Sequence, residues 1–381
     1  MMILILPFMH MQSGHHQVAD ALAAHIQQQD PTMEVEKLDI FSTTFPQIEK
    51  LVCKSYLTWI QKSPKTYSAF YKKQFNSKKY SFKLFAPWEK LMEETLERII
   101  LEKKPEAIIC THSFPSHAAG RLKEKGLIDV PVMNAYTDFF VGGVWAKEGI
   151  DLHIVPSKTV GQFLHREYDV EEQRILVSGI PVHPAMTTTL KNETNNKWEL
   201  LIAGGNSGLG NLAAIAKQSE AFEQLHVTIL CGNNRSLYEE ITQMNLRNVT
   251  ALSYIDSREQ MNALYERADA LISKPGGVTI SEAFVKHVPV FVSSVLPGQE
   301  QLNMDYLVQK GLVFPLEEGD MLTQVMGKLM QPEFEQQYSD ALAVQRNEVE
   351  LATATLVDRV LYQLHATTVP HFSKKLLLAS I

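Results

Sequence analysis

Short runs of apolar residues alternate along the chain with stretches in which apolar residues recur every three or four positions. The first run, MILILPF (2–8), precedes HQVADALAAHI (16–26), where Val18, Leu22 and Ile26 share one helical face. Runs of this length predict buried strands, and the stretches between them predict helices. Further strands are predicted at 106–112, 131–137, 152–157, 174–181, 198–205, 226–232, 248–254, 269–277 and 288–294.

The alternation is interrupted by a polar segment at 181–197, which contains two prolines and several threonines and asparagines. Because strands alternate with helices on both sides of it, we expect two βαβ domains with parallel sheets. The predicted organisation is an N-terminal domain at 1–180, a linker at 181–197, a second domain at 198–345 and a C-terminal helical segment at 346–381, which packs back on the N-terminal domain. Ligands of such sheets bind beyond the carboxyl ends of the strands, so the cleft between the domains is the expected site.

Length and composition agree with a two-domain globular protein. The chain has 381 residues, with 45% hydrophobic and 21% charged residues and a net charge of −7. The negative charge argues against a general nucleic-acid binder. Three widely spaced cysteines predict neither disulfides nor a zinc ribbon, which favours a reducing cytoplasm. We expect the apolar start to be a strand rather than a signal peptide, and no apolar run is long enough to span a bilayer.

Residues 51–88 differ from the rest of the chain in composition. They hold eight lysines, ten of the 33 aromatic residues and no Asp or Glu. Lysine is attracted to anionic lipid and aromatic side chains settle at the headgroup level, so the segment predicts a membrane-binding surface. An ordinary basic surface and a nucleic-acid site are the alternatives. The candidate membrane residues are Trp59, Lys62, Lys65, Lys72, Lys73, Lys78 and Lys79.

The sequence SKPGGVTISEAF (273–284) places two glycines where a predicted strand turns into a helix. Gly276 and Gly277 let backbone N–H groups approach an anion, and the helix N-terminus favours negative charge there. Val278 and Thr279 supply further N–H donors, and Glu282, one turn on, is able to accept both hydroxyls of a ribose. A plain helix start with an acidic residue is the competing interpretation.

Two further loops in the second half carry polar residues at predicted strand ends. LIAGGNSGLGN (201–211) is rich in glycine, with Gly205 at its turn, but it matches no established nucleotide motif. LPGQEQLN (296–303) contributes Gln299, Glu300 and Asn303, and directional side chains of this kind suit the hydroxyls of a sugar. An ordinary polar loop explains the same pattern.

In the first half, GHH (14–16) and TD (137–138) lie at predicted strand ends. The two histidines are compatible with a metal pair, a catalytic base or a helix start that contains histidine. No HExxH-type spacing is present, so we expect no metal site.

Five motifs together resemble a known family: GHHQVADAL, TDFFVGGVW, GIPVHP, KPGGVTISEA and PGQEQLN. In order and spacing they are similar to the branch of glycosyltransferase family 28 that contains the monogalactosyldiacylglycerol synthases and the processive diacylglycerol β-glucosyltransferases. The resemblance covers about residues 3–315. It implies a GT-B fold, in which two Rossmann-like domains face each other across a cleft, and an inverting transfer from UDP-glucose or UDP-galactose to a lipid, diacylglycerol or a glycolipid. It also implies no required cofactor or metal, and peripheral attachment at the inner face of the cell membrane.

The resemblance assigns roles residue by residue. His15, after Gly14, becomes the general base for the acceptor hydroxyl, and we expect the helix N-terminus to keep it neutral. Asp138 becomes the acceptor-side aspartate. The remaining matches are diphosphate and ribose contacts at Gly276, Gly277, Val278, Thr279 and Glu282, sugar contacts at Gln299, Glu300 and Asn303, and uracil packing against the backbone near Tyr254 and Ile255.

The sequence departs from the family pattern at two positions. Relatives have histidine where this chain has Gly142, although Trp145 is kept, and a glycine is replaced by Gln12. The missing histidine leaves open a second hypothesis, an inactive or regulatory membrane-associated protein that binds UDP-sugar. A third is a GT-B enzyme or UDP-sugar epimerase that acts on a soluble substrate, against which residues 51–88 argue.

Overall fold

The computed structural model describes residues 1–9, 13–63, 65–67, 69–70, 86–187, 197–204, 212–296 and 298–367. The chain divides into two compact units. The first comprises Met1–His183 together with the chain from Glu348 onward, and the second comprises Pro184–Asn347. The chain therefore passes from one unit to the other twice.

The first unit is built on a parallel six-stranded sheet in the order β2-β1-β3-β4-β5-β6. Its elements up to the second unit are β1 (Met2–Leu6), α1 (Gly14–Gln29), β2 (Glu34–Lys37), α2 (Ile40–Thr44), α3 (Glu49–Lys62), α4 (Ala86–Lys103), β3 (Ala107–Cys110), α5 (Ser113–Glu124), β4 (Val132–Ala135), β5 (Leu152–Val155), α6 (Lys158–Tyr168), a 3₁₀ turn (Glu172–Arg174) and β6 (Ile175–Val177).

The second unit is built on another parallel six-stranded sheet, in the order β12-β11-β10-β7-β8-β9. Its elements are β7 (Trp198–Ala203), α7 (Leu212–Gln218), a 3₁₀ turn (Ser219–Ala221), β8 (Leu225–Leu230), α8 (Arg235–Gln243), β9 (Val249–Leu252), α9 (Arg258–Arg267), β10 (Ala270–Ser273), α10 (Gly277–Val285), β11 (Val290–Val292), α11 (Gln299–Gln309), β12 (Val313–Pro315), α12 (Met321–Leu329) and α13 (Phe334–Asn347). The last described helix, α14 (Thr353–Thr367), belongs to the first unit and packs against α1.

Each core is the space between a sheet and the helices on its faces. Ile3 through Leu6 of β1 are fully buried, because helices cover both faces of a parallel sheet and shield its central strands from solvent. Val18, Leu22 and Ile26 of α1 are also buried, as their spacing of four predicts. Alternation of strand and helix in the sequence thus predicted two parallel sheets and ten of their twelve described strands.

Two strands escaped the sequence prediction, and both lie at sheet edges. β2 has the sequence EVEK and is largely exposed, so it lacks the apolar run that marks a buried strand. β12 is only three residues long and ends in Pro315. Proline is tolerated at an edge because no neighbouring strand needs its missing N–H.

In both sheets the chain order reverses at the first strand. β1 lies between β2 and β3, and β7 lies between β8 and β10. Loops that leave the carboxyl ends of two strands on either side of such a switch point diverge to opposite faces, which opens a crevice for a ligand. The start of α1 and the end of β3 lie at the switch point of the first sheet. The start of α10 lies at the switch point of the second sheet.

Candidate active site

His15 lies at the switch point of the first sheet, in the first turn of α1. Its ring nitrogen Nδ1 lies 2.7 Å from the backbone oxygen of Thr111, directly after β3. A carbonyl oxygen only accepts hydrogen bonds, so Nδ1 carries the proton and donates it. In the neutral imidazole the other nitrogen, Nε2, then holds the free lone pair that a general base needs.

The surroundings of His15 favour its neutral form. Burial lowers the pKa of His15 to about 4, and the hydrogen bond to Thr111 opposes that shift only in part. The ring of His112 meets the ring of His15 edge to face, with centroids 4.5 Å apart. Burial also holds the pKa of His112 well below its usual range. The pKa of His15 is therefore lowered, as expected, but the main cause is burial rather than the helix N-terminus.

Asp138 is linked to His15 through a hydroxyl. Thr137 Oγ1 lies 3.1 Å from His15 Nδ1 and 3.4 Å from Asp138 Oδ2. The hydroxyl accepts from the protonated Nδ1 and donates to the carboxylate, which makes a chain from imidazole to carboxylate. His16, by contrast, contacts Ser13 Oγ through Nδ1 at 3.2 Å, within its own helix start. Gly14 is exposed at the same turn.

The loop 138–147, which follows β4, is fastened by hydrogen bonds to its backbone carbonyls. The buried Lys147 ammonium donates to the Gly142 oxygen at 2.6 Å and to the Trp145 oxygen at 2.8 Å. It also lies 4.3 Å from the centre of the Tyr168 ring. His117 Nε2 is 3.0 Å from the Val144 oxygen. Gly142, where the resemblance leads one to expect a histidine, is thus a buried glycine whose carbonyl accepts a hydrogen bond from Lys147.

In the second unit, the start of α10 lies after β10, at the switch point of that sheet. Gly276 is the residue before the helix, with φ −80° and ψ 135°, and a Cβ placed on it would meet no atom within 4 Å. Gly277, Val278 and Thr279 form the first turn, whose N–H groups have no partner inside a helix. The arrangement leaves an open approach to backbone donors at the positive end of the helix dipole.

Glu282 is one turn further along α10, and only 6% of it is exposed. Its Oε2 accepts a hydrogen bond from the Tyr265 hydroxyl at 3.2 Å, and its Oε1 lies 3.9 Å from Arg258 Nη1. Burial raises the pKa of Glu282 to about 7, while Arg258 and Tyr265 act in the opposite direction.

The other predicted donor-side residues lie on α11 and in the loop after β9. Glu300 accepts from the Leu296 N–H at 2.7 Å and lies 3.8 Å from the Lys274 ammonium. This pair connects the residue after β10 with the first turn of α11. Asn303 is buried, and Gln299 is partly exposed at the start of α11. Tyr254 is 40% exposed beside Ile255, and Gly205 lies outside the described residues.

The described part of the basic, aromatic segment 51–88 includes most of α3 and the turn after it. Trp59 is partly exposed, donates to Thr66 Oγ1 at 2.9 Å, and packs edge to face on Tyr67. Lys62 and Lys65 are exposed beside it. Lys72, Lys73, Lys78 and Lys79 lie outside the described residues. No described helix is both long and apolar enough to cross a bilayer.

Several contacts at the two sites were not predicted. Thr137 and Lys147 lie within or beside the motif that contains Asp138, but their partners depend on how the loop folds. Tyr265 and Arg258 precede Glu282 by many residues, and their shared helical face was the only signal for them. Within the described part of the chain, no group of three or more His, Cys, Asp or Glu side chains is arranged to hold a metal ion.

Two parallel sheets, each with polar groups gathered at its switch point, define the GT-B fold of glycosyltransferases and related epimerases. Solved structures agree with this fold. The calicheamicin glycosyltransferase CalG4 superposes with a TM-score of 0.62 at 13% identity, covering 97% of this chain and 99% of that one. The Staphylococcus aureus MnaA–UDP structure has a TM-score of 0.60 at 15% identity and covers 98% of both chains.

Sequence comparisons identify the family. The family model described as monogalactosyldiacylglycerol (MGDG) synthase matches residues 15–182, and the glycosyltransferase family 28 C-terminal domain matches residues 199–356. A glycosyltransferase of Bacillus subtilis, YkoN, is 37% identical over 84% of this chain and 85% of its own length. The processive diacylglycerol beta-glucosyltransferase of Bacillus cytotoxicus is 29% identical over 94% of this chain and 93% of its own. The chain belongs to glycosyltransferase family 28, which confirms the resemblance found in its motifs.

Proposed function

We propose that the protein transfers a hexose from a UDP-sugar to the hydroxyl of a membrane lipid, diacylglycerol or a glycolipid, with inversion at the anomeric carbon. The observation that carries this proposal is the orientation of His15. Its Nδ1–H is bound by the Thr111 carbonyl, so Nε2 is the basic nitrogen. Relatives named as diacylglycerol glucosyltransferases support the lipid acceptor.

The proposed reaction is a single displacement. His15 Nε2 takes the proton of the acceptor hydroxyl as its oxygen attacks the anomeric carbon. The bond from that carbon to the diphosphate breaks, and UDP leaves with the electron pair. Backbone N–H groups at the start of α10 stabilise the charge that develops on the diphosphate. Asp138, linked through Thr137, stabilises the imidazolium formed on His15.

The proposed location is the inner face of the cell membrane, with the exposed Trp59, Lys62 and Lys65 in contact with anionic lipid. We propose that no metal or other cofactor takes part, so that activity persists when divalent cations are chelated.

The test is an assay with the purified protein and vesicles that contain diacylglycerol and anionic lipid. UDP-glucose and UDP-galactose are supplied separately, with and without a chelator, and released UDP and lipid products are identified by mass. A hexosyl lipid formed together with UDP supports the proposal and names the sugar. Binding of UDP without any product supports instead a regulatory protein that binds UDP-sugar, and a product on a soluble acceptor alone contradicts the lipid assignment.

A further inference from the structure

Glu282 occupies an unusual environment for a carboxyl group that meets a ligand. It is almost fully buried, and so is Tyr265, of which 2% is exposed. The hydroxyl of Tyr265 donates to one carboxylate oxygen at 3.2 Å. A buried tyrosine hydroxyl needs a partner, and a hydrogen bond to an ionised acceptor is stronger than one to a neutral acceptor.

The second carboxylate oxygen faces a cation from the same helix. Arg258 Nη1 lies 3.9 Å from Glu282 Oε1. Arg258 and Tyr265 are seven residues apart on α9, so two helical turns bring them to the same face. One helix therefore presents a hydroxyl donor to one carboxylate oxygen and a cation to the other.

We propose that Tyr265 and Arg258 are positioning residues, which favour the charged form of the Glu282 carboxylate and orient it toward the ribose hydroxyls of the donor nucleotide. The inference rests on the proposed function, because it takes Glu282 as the ribose contact. A carboxylate has about four acceptor positions, so the two groups on α9 leave positions free for a ribose. Without these donors, burial favours the neutral carboxylic acid, which is a poorer acceptor for two hydroxyls.

The effect of Tyr265 and Arg258 on Glu282 can be measured through the pH at which the Glu282 carboxyl group ionises. Burial raises the pKa of Glu282, and the two groups that lower it are Arg258 and Tyr265. Lys286, the residue after α10, pairs with Glu266 at 3.1 Å, and Lys274 pairs with Glu300 at 3.8 Å. Loss of the Tyr265 hydroxyl therefore moves the ionisation of Glu282 to higher pH. UDP binding should follow that ionisation, since the charged form accepts the ribose hydroxyls.

Calorimetric titration of UDP between about pH 6 and pH 9 tests the proposal. The proteins are the wild type, Tyr265→Phe and Glu282→Gln, with Tyr338→Phe as a matched control. Tyr338 is a buried tyrosine of the same unit whose hydroxyl donates to the Val288 oxygen at 3.0 Å, away from Glu282. We expect Tyr265→Phe to weaken UDP binding about tenfold near pH 7, with most of the loss recovered near pH 9.

A second ligand, 2′-deoxy-UDP, separates a ribose effect from a general one. It should lose much less affinity than UDP on the Tyr265→Phe substitution, because it lacks one of the hydroxyls that Glu282 accepts. An equal loss at every pH, or no loss, overturns the inference, as does an identical effect on both ligands. If the wild type binds no UDP at any pH, the proposed function itself is wrong, and the two failures are thereby distinguished.

Discussion

The orientation of His15 depends on a backbone carbonyl and not on an acidic side chain. A carbonyl keeps its acceptor character at every pH, so the Nδ1-protonated tautomer does not depend on the ionisation of a partner. Asp138 lies one group further away, hydrogen-bonded through Thr137. The lone pair of Nε2 therefore stays available to a proton as long as the ring is neutral.

Substitution of His15 is predicted to affect chemistry and not donor binding. His15→Ala should lower kcat by about 10² to 10⁴-fold, the usual contribution of a general base. The dissociation constant of UDP should be unchanged, because the predicted diphosphate contacts are on α10. Steady-state kinetics and calorimetry measure the two quantities. His16→Ala is the control, and a His15→Ala enzyme with normal turnover would show that the base lies elsewhere.

The low pKa of His15 predicts the acid limit of activity. With saturating donor, kcat should fall only as the pH drops toward about 4, and not near 6.5. The same shift affects stability. Between pH 6.5 and 4 the unfolded state binds a proton at His15 that the folded state does not. The contribution of His15 to the free energy of unfolding is therefore fully present above pH 6.5, decreases as the pH falls, and is lost once the pH has passed through 4. A histidine NMR signal that is missing in His15→Gln and titrates near 6.5 would contradict the prediction.

At the residue scale, the sequence predicted which groups are candidates for chemistry but not their hydrogen-bond partners. His15 and Asp138 were identified by the family motifs. Their partner Thr111 is 96 residues from His15, and no local pattern reports a contact over that distance. The pKa of Glu282 could not be predicted from the sequence either, because burial raises it while two side chains on a different helix lower it.

At the scale of the element, the start of α10 is the simplest part of the site to test. Gly276→Ala should leave the fold intact, because φ at this position is −80° and the added Cβ meets no atom within 4 Å. That same open space is the predicted approach of the diphosphate. We expect UDP to bind about tenfold or more weakly, from loss of close contact with the backbone donors.

A matched glycine controls for the general effect of the substitution. Gly327 lies inside α12, also with no atom within 4 Å of an added Cβ. Gly327→Ala should raise the free energy of unfolding by roughly 0.5–1 kcal/mol and leave UDP binding unchanged. If Gly276→Ala behaves like Gly327→Ala in a UDP titration, the diphosphate does not lie against the start of α10.

Elements in the core were predictable and those at the edge were not. β1 was predicted from its apolar run, and α1 from apolar residues spaced four apart. Both patterns are consequences of burial. β2 and β12 are shaped by exposure, which permits charged residues in one and proline in the other. The loop 138–147 depends on Lys147, a residue type that patterning assigns to the surface, although it is buried here.

At the scale of the whole molecule, charge is distributed unevenly between residues 51–88 and the remainder of a chain whose net charge is −7. Each lysine near an anionic leaflet contributes about 1 kcal/mol. Lys62→Gln combined with Lys65→Gln should therefore lower the partition onto anionic vesicles by roughly tenfold to thirtyfold at low salt. Sedimentation with vesicles measures this.

Two exposed lysines outside that segment, Lys158 and Lys217, provide the control for total charge. Their replacement by glutamine removes the same two charges but should change the partition much less, because a charge away from the leaflet contributes less attraction than one at its surface. Equal losses for the two double variants would mean that binding follows net charge alone and not a defined surface.

The double passage of the chain between the two units has a practical consequence for anyone who divides this protein. A single cut between residues 188 and 196 does not separate the units into two fragments. The C-terminal fragment retains α14, whose partner α1 belongs to the N-terminal fragment. The two pieces, produced as separate polypeptides, should therefore reassemble by complementation. An autonomous first unit requires deletion of residues 184–347, with the segment from Glu348 joined directly after His183.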